Sequence, residues 1–377
     1  MSFLTAFPPP ADSRLSRNYN YEMLLEGIFA AVTTCFYPDG RPYWRKLEQN
    51  VDRYSRTPMN GMVLLGSTGE SVMLSDEESR QALRVAREAA APDKVLLAGV
   101  GRESVFETLR QAEYAASLDY DAVLVRTPHY YRNQLRNREM LTYYQAVADR
   151  SPLPVLLYSV PGCTAYDLPI EVVAELVMHP NIVGMKDSSG NVDRIAQLVH
   201  ATSSFRKRSV PVTTVFSAVT SRMLRSSEQG AESQASFVAA EQLGSGTTAL
   251  AVKPPKPALK TRTREVGFQL LCGSAQTLYP SLEAGATGGV LALATFAPQA
   301  CQEVYTAWKE NDAVLAADKQ RRIVRAGIEV CGKMGIPGVK YALDLNGYYG
   351  GRPRMPLLPL VAEEQRLVEE LTFDIRN

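Results

Sequence analysis

The chain has 377 residues, more than the ~100 to 200 of one ordinary domain, although a single barrel absorbs about 250 of them. Hydrophobic residues make up 45% and charged residues 21%, a balance that excludes a disordered, fibrous or disulfide-scaffold chain. With 41 Lys and Arg against 40 Asp and Glu, the formal charge of +1 supplies no field to draw in nucleic acid or an anionic membrane, so the expected partner is a small molecule.

The opening MSFLTAFPPPADSR has no basic stretch leading into an apolar core, and its three prolines would break an amphipathic transit helix, so the expected location is the cytoplasm. Residues 1–24 read as an N-terminal extension. From there, short apolar runs bounded by turn residues recur, each followed by a longer helical pattern. They begin at Ile28, Met62, Val95, Asp121, Pro154, Ile182, Phe268 and Gly288, which makes eight strand-then-helix units. Helix starts are marked by Ser75 with Glu78 and by Ser104 with Glu107, both spaced as capping boxes in which the serine satisfies an orphan amide and the glutamate reaches back. Ala82, Leu83, Ala86, Ala89 and Ala90 form the apolar stripe that packs a helix on a strand layer. Eight such units predict a parallel sheet closed into a (β/α)8 TIM barrel over 25–302.

Six of the seven intervals between strand starts lie between 20 and 34 residues, and one, from Ile182 to Phe268, is 86. Its surplus is residues 203–265, Ser-rich and locally basic (FRKRS, KTRTR) around VKPPKPALK, with no sustained period. This reads as an insertion, mostly disordered, in a helix-to-strand loop at the face opposite the catalytic one, where added length costs only logarithmically growing entropy. A partner-binding arm, a neutral loop and translated non-coding sequence all fit that composition. Residues 303–377 read as a helical C-terminal extension, its patterns interrupted by GIPG and NGYYGGRP. The longest uncharged run, Ala284 to Gln302, is broken by Gly288, Gly289 and Pro298 and is no membrane span. Five cysteines without a CxxC pair predict free thiols.

In this barrel the chemistry sits at the C-terminal strand ends. Strand two ends in Gly66-Ser67-Thr68-Gly69-Glu70, strand four in Pro128-His129-Tyr130-Tyr131, strand five at Tyr158 and strand six at Lys186. Alternation places Gly184 and Ile182 on the inward face below Lys186. A lysine aimed into a barrel mouth loses water, which favours the neutral amine that attacks a carbonyl to form a Schiff base. Imine chemistry moves protons repeatedly, and a phenol such as Tyr158 among hydroxyls such as Thr68 and Tyr130 can relay them. Amides of the Ser67-Thr68 turn suit a carboxylate, and Glu70 reads as a cap on the next segment. The bland alternatives are a surface lysine, a locally satisfied tyrosine and a tight turn with glycines for sterics. His129, His179 and His200 do not converge on one metal, GVGRES lacks the third glycine of a dinucleotide fingerprint, and GSGTT is no phosphate loop, so neither metal nor cofactor is expected.

In order, GSTGE, TPHYYR, LYSVPGCTAYDLP and HPNIVGMKDSSGN resemble the dihydrodipicolinate synthase and N-acetylneuraminate lyase family of lysine-dependent class I aldolases, over roughly 25 to 202 and 266 to 372. The resemblance implies that Lys186 captures pyruvate, that Tyr158 relays protons and that Ser67 and Thr68 bind the carboxylate. It makes Tyr130 an aromatic contributed across a dimer interface, hence a homo-oligomer, a dimer of dimers, and it admits a mitochondrial location. YSVP, DLP, GIPGVK and GYYGG are most similar to the 4-hydroxy-2-oxoglutarate aldolase branch, in which Ser188 lines the substrate pocket. The expected reaction is therefore cleavage of 4-hydroxy-2-oxoglutarate to pyruvate and glyoxylate. Alternatives are the dihydrodipicolinate synthase reaction, another pyruvate-dependent 2-oxo acid aldolase, or a catalytically silent binding barrel. Members that condense pyruvate with aspartate semialdehyde carry an arginine where Cys163 stands, and the family's Thr-Gly is Thr164-Ala165.

Overall fold

The computed structural model describes residues 23–205, 207–215, 217–220, 222–224 and 260–376. Eight parallel strands close into a barrel: β1 (Gly27–Ala31), β2 (Gly61–Leu64), β3 (Val95–Gly99), β4 (Ala122–Arg126), β5 (Val155–Ser159), β6 (Ile182–Asp187), β9 (Gln269–Cys272) and β10 (Gly288–Leu291), with β10 hydrogen-bonded back to β1. β7 (Arg208–Thr213) and β8 (Thr261–Val266) form a separate antiparallel ribbon. The expected barrel is thus the observed one.

Alternation along each strand divides the core in two. Phe29, Val63, Leu97, Leu124, Leu156 and Val290 fill the interior, while Ile28, Met62, Leu96, Val123, Val155 and Leu157 face the helices. β6 departs from simple alternation. A register shift opposite Val155 and Leu156 pairs Ile182 with Val155 and Gly184 with Leu156. Gly184 therefore shares the inward face of Lys186 as expected, but Ile182 packs in the outer layer and Val183 turns inward. One extra residue in a strand reverses the side-chain phase on one side of the irregularity.

Helix caps follow the sequence in part. At Ser75 both halves of the capping box form, whereas at Ser104 the hydroxyl accepts from the Glu107 amide without a recorded return bond from the glutamate. GIPG marks a helix boundary as expected, with Gly335 in left-handed backbone at φ 60°. Helix Gly335–Leu345 begins at Gly335 and carries Pro337 in its first turn, where a missing N–H costs nothing. It follows helix Ala313–Ala326 and a π-helical segment, Gly327–Lys333.

The insertion is built where expected, between helix Val192–Ala201 and β9, and its ends are ordered. Val210 and Val212, on one face of β7, join Ala218 and Val266 in the interior cluster. Arg222 donates to the carbonyls of Pro92 and Lys94 and pairs with Asp121 at 3.1 Å, and Arg208 donates to the Pro180 carbonyl. Those partners all precede strands β3, β4 and β6, so the ribbon closes the N-terminal end of the barrel, away from Lys186. Residues 225–259 of the insertion lie outside the described residues.

Candidate active site

Lys186 and Tyr158 are register partners on β6 and β5, so their side chains emerge side by side into the barrel mouth. Lys186 Nζ lies 3.3 Å from Tyr158 Oη and 4.3 Å from the centre of its ring. Ser67 Oγ lies 3.2 Å on the far side of the same phenol oxygen, and both Lys186 and Tyr158 are 4% exposed. Amine, phenol and hydroxyl thus form one hydrogen-bonded chain with little competing water.

The end of β6 is held firmly. Asp187, next to the lysine and pointing the other way, accepts Arg194 Nε at 2.8 Å and both the amide and hydroxyl of Ser189, at 3.0 and 2.5 Å. Arg194 also donates to the Leu168 carbonyl. Sequence reasoning missed this anchor. Its signal was an Asp directly after the lysine with an Arg one turn into the helix capped by Asn191, whose side chain accepts from the Arg194 amide.

The turn bearing Ser67 and Thr68 is bracketed by two residues in left-handed backbone, Leu65 at φ 58° and Glu70 at φ 54°. Gly69 and Glu70 amides donate to the Gly66 and Ser67 carbonyls, and Thr34 Oγ1 donates to the Gly69 carbonyl at 2.6 Å. A Cβ on Gly69 would meet the Val32 carbonyl oxygen at 3.0 Å, which explains that glycine. Glu70 stands at the N-cap position of the short helix Ser71–Met73, as expected, but its side chain makes no capping bond. Its carboxylate is fully buried against Lys340, Oε1 to Nζ 2.6 Å, and Oε2 accepts the Arg354 amide at 2.8 Å.

Ser67 and Thr68 open onto a cleft of about 430 Å³, whose walls include Cys163, Ser188, Ser274 and Cys331. Among the described residues its lining carries no charged side chain. Ser188 lines this cleft, and its Oγ occupies the space a Cβ at Gly273 would need. Burial pushes the Cys331 thiol up to about 12. Tyr130 is not brought to Lys186 within the chain. It is 75% exposed, edge-on to Tyr131, with its amide and that of His129 donating to Glu103. Burial alone would raise the Glu103 carboxyl, but those two amides and Arg126, at 3.0 Å, hold it below its ordinary range. His129 pairs with Glu103 and His179 with Asp149, and among the described residues no three potential ligands gather around one metal position.

The sequence profile of the Dihydrodipicolinate synthetase family matches residues 24–243 and 256–373. The chain belongs to the dihydrodipicolinate synthetase family. Among relatives of this family member, 4-hydroxy-tetrahydrodipicolinate synthase of Xanthomonas campestris is 42% identical over 180 residues, 47% of this chain and 58% of that one, so the match spans little more than half of the relative. The Acidiphilium cryptum protein of the same name is 28% identical over 337 residues, 89% of this chain and 94% of its own. Among solved structures, chloride-inhibited dihydrodipicolinate synthase of Acinetobacter baumannii complexed with pyruvate superposes with a TM-score of 0.73 at 24% identity, over 93% of this chain and 99% of that one, which shows the shared fold. Among the described residues no helix is long and apolar enough to cross a membrane.

Proposed function

We propose that this member of the dihydrodipicolinate synthetase family is a lyase that forms a Schiff base with pyruvate on Lys186. The observation that carries the reading is the chain from Lys186 Nζ to Tyr158 Oη to Ser67 Oγ, at 3.3 and 3.2 Å. The neutral amine attacks C2 of pyruvate, and the carbinolamine expels water to leave a protonated imine. That cationic nitrogen draws electrons as C3 loses a proton to give the enamine, whose C3 then attacks an aldehyde. Run backwards, the same steps break the C3–C4 bond. Tyr158 moves the protons, with Ser67 as the next hydroxyl along, and the Ser67-Thr68 turn binds the carboxylate. Tyr130, exposed at the surface, completes the relay from a second subunit, which makes the working form a homo-oligomer, a dimer of dimers.

The acceptor aldehyde has two readings. The relatives described above are synthases, which favours condensation with aspartate semialdehyde and lends nothing to the expected cleavage of 4-hydroxy-2-oxoglutarate. One observation favours glyoxylate, and hence that cleavage, as the second reading: among the described residues the cleft offers hydroxyls, an amide and the Cys163 thiol but no cation for the distant carboxylate of a longer aldehyde. Two measurements test this. Borohydride with pyruvate should add a pyruvyl mass to Lys186 irreversibly, and an unmodified lysine in folded protein would sink the mechanism in favour of a silent binding barrel. Turnover compared with aspartate semialdehyde and with glyoxylate then decides the acceptor.

A further inference from the structure

One buried ion pair outside the reacting groups ties the two sides of the cleft together. Lys340 and Glu70 are each 0% exposed at the side chain, 2.6 Å apart. Burial pushes the Lys340 ammonium down from its ordinary range, with Glu70 opposing that loss. Two charges withdrawn from water need every remaining valence satisfied. Most are: Lys340 Nζ also donates to the Arg352 carbonyl and lies 4.4 Å from the centre of the Phe36 ring, and the second oxygen of Glu70 takes the Arg354 amide, while Oε1 is left with the lysine charge alone. Arg354 in turn grips Glu78 with both nitrogens, at 2.6 and 2.7 Å, and donates to the Met73 carbonyl.

What this network holds is the geometry of the cleft. Glu70 sits two residues after Thr68 in left-handed backbone, where a side chain other than glycine carries strain and persists only if its surroundings over-determine it. Lys340 belongs to helix Gly335–Leu345, whose Gly335, Ile336 and Val339 form the opposing wall. We propose that Lys340 is a positioning residue: through Glu70 its charge sets the Ser67-Thr68 turn at the distance and angle that receive the carboxylate of a 2-oxo acid. This inference rests on the Schiff-base reading.

The test uses the full-length protein, pyruvate as probe, and two variants, Lys340→Met and the double variant Lys340→Met with Glu70→Gln. The double variant leaves no charge stranded, so it carries the test if the single one fails to fold. Borohydride trapping of wild type at Lys186 first establishes the chemistry, and its failure there would refute the Schiff-base reading independently of Lys340. Given trapping, the pyruvate concentration for half-maximal trapping should rise at least tenfold in Lys340→Met and at least threefold in the double variant, with the maximal trapping rate within threefold of wild type. A merely structural lysine would lower thermal stability and leave half-saturation unchanged in the folded fraction. That result, in either variant, overturns the proposal.

Discussion

Arg222 is the most informative single position outside the active site, because it belongs to the inserted stretch and is nonetheless 4% exposed at the side chain, against 2% for its partner Asp121. Its guanidinium satisfies Asp121 at 3.1 Å and the carbonyls of Pro92, at 3.0 Å, and Lys94. Arg222→Met keeps much of the apolar stem and deletes all of these bonds. Asp121 would retain the Leu96 amide, 2.8 Å away, as a recorded partner. Breaking a buried pair by removing one charge costs about 3–5 kcal/mol. With an unfolding entropy of about 2.1 cal/mol/K per residue, each kcal/mol shifts the midpoint of a chain of 377 residues by about 1.3 °C, so the melting temperature should fall by roughly 4 to 6 °C. Adding Asp121→Asn, which removes the stranded charge but keeps an acceptor for Leu96, should recover at least half of the loss. Calorimetry on the three proteins measures this, and the rate of borohydride trapping at Lys186 should stay within twofold of wild type, since the ribbon closes the opposite end of the barrel. A melting temperature within about 2 °C of wild type would refute the seating of Arg222. It would also restore the simpler expectation that 203–265 is a mostly disordered insertion throughout. Deleting the flanks bearing Val210, Val212 and Arg222 would remove groups buried against the barrel and should cost stability.

Tyr158→Phe removes the phenol oxygen between Lys186 and Ser67 while preserving the buried ring, so turnover should fall roughly 10²- to 10⁴-fold with little change in melting temperature. Stopped assays on folded protein check this, and a loss under fivefold would remove Tyr158 from the relay. Glu78, whose carboxyl is held below its ordinary 4.5 chiefly by the hydrogen bonds from Arg354, contributes stability that is complete above about pH 4.5 and is lost as the pH falls through the folded value. The melting temperature of Glu78→Gln should therefore lie below that of wild type at pH 7, and the two should converge as the pH falls through that lowered value; a constant gap at all pH values would contradict the assignment.

The barrel was legible because each of its strands is an apolar run followed by a helical pattern, a signal local to about 30 residues. The candidate site was legible for a related reason: Tyr158 and Lys186 lie at the ends of β5 and β6 and Ser67 in the turn after β2, and closure of the barrel brings strand ends together whatever the spacing between them. Features that depend on a partner far along the chain were not visible. The side chain of Glu70 reads as a cap until Lys340 arrives from helix Gly335–Leu345. Arg208–Thr213 shows weak alternation, with Pro211 in its midst, and its strand partner begins only at Thr261. The irregularity that turns Ile182 outward is a matter of one residue of register, which composition does not record.

These two kinds of feature do different physical work, and the difference bears on how the molecule is divided. Apolar alternation builds the barrel, but burial is nearly indifferent to small sliding of one element against another, and many arrangements satisfy it. Charges buried without water are not indifferent: a carboxylate such as Glu70 or Asp121 is tolerable only with its donors at hydrogen-bond distance, so each pair selects one arrangement. Among the described residues, pairs of this kind stand near both mouths of the barrel, and two of them bear on how the added segments are held. Glu70 with Lys340 fixes the C-terminal helices against the turn that faces the cleft, and Asp121 with Arg222 fixes the inserted ribbon against the opposite end. The C-terminal helices and the ends of the insertion, which read as additions on the sequence, are therefore held on the barrel by buried charge as well as by apolar contact.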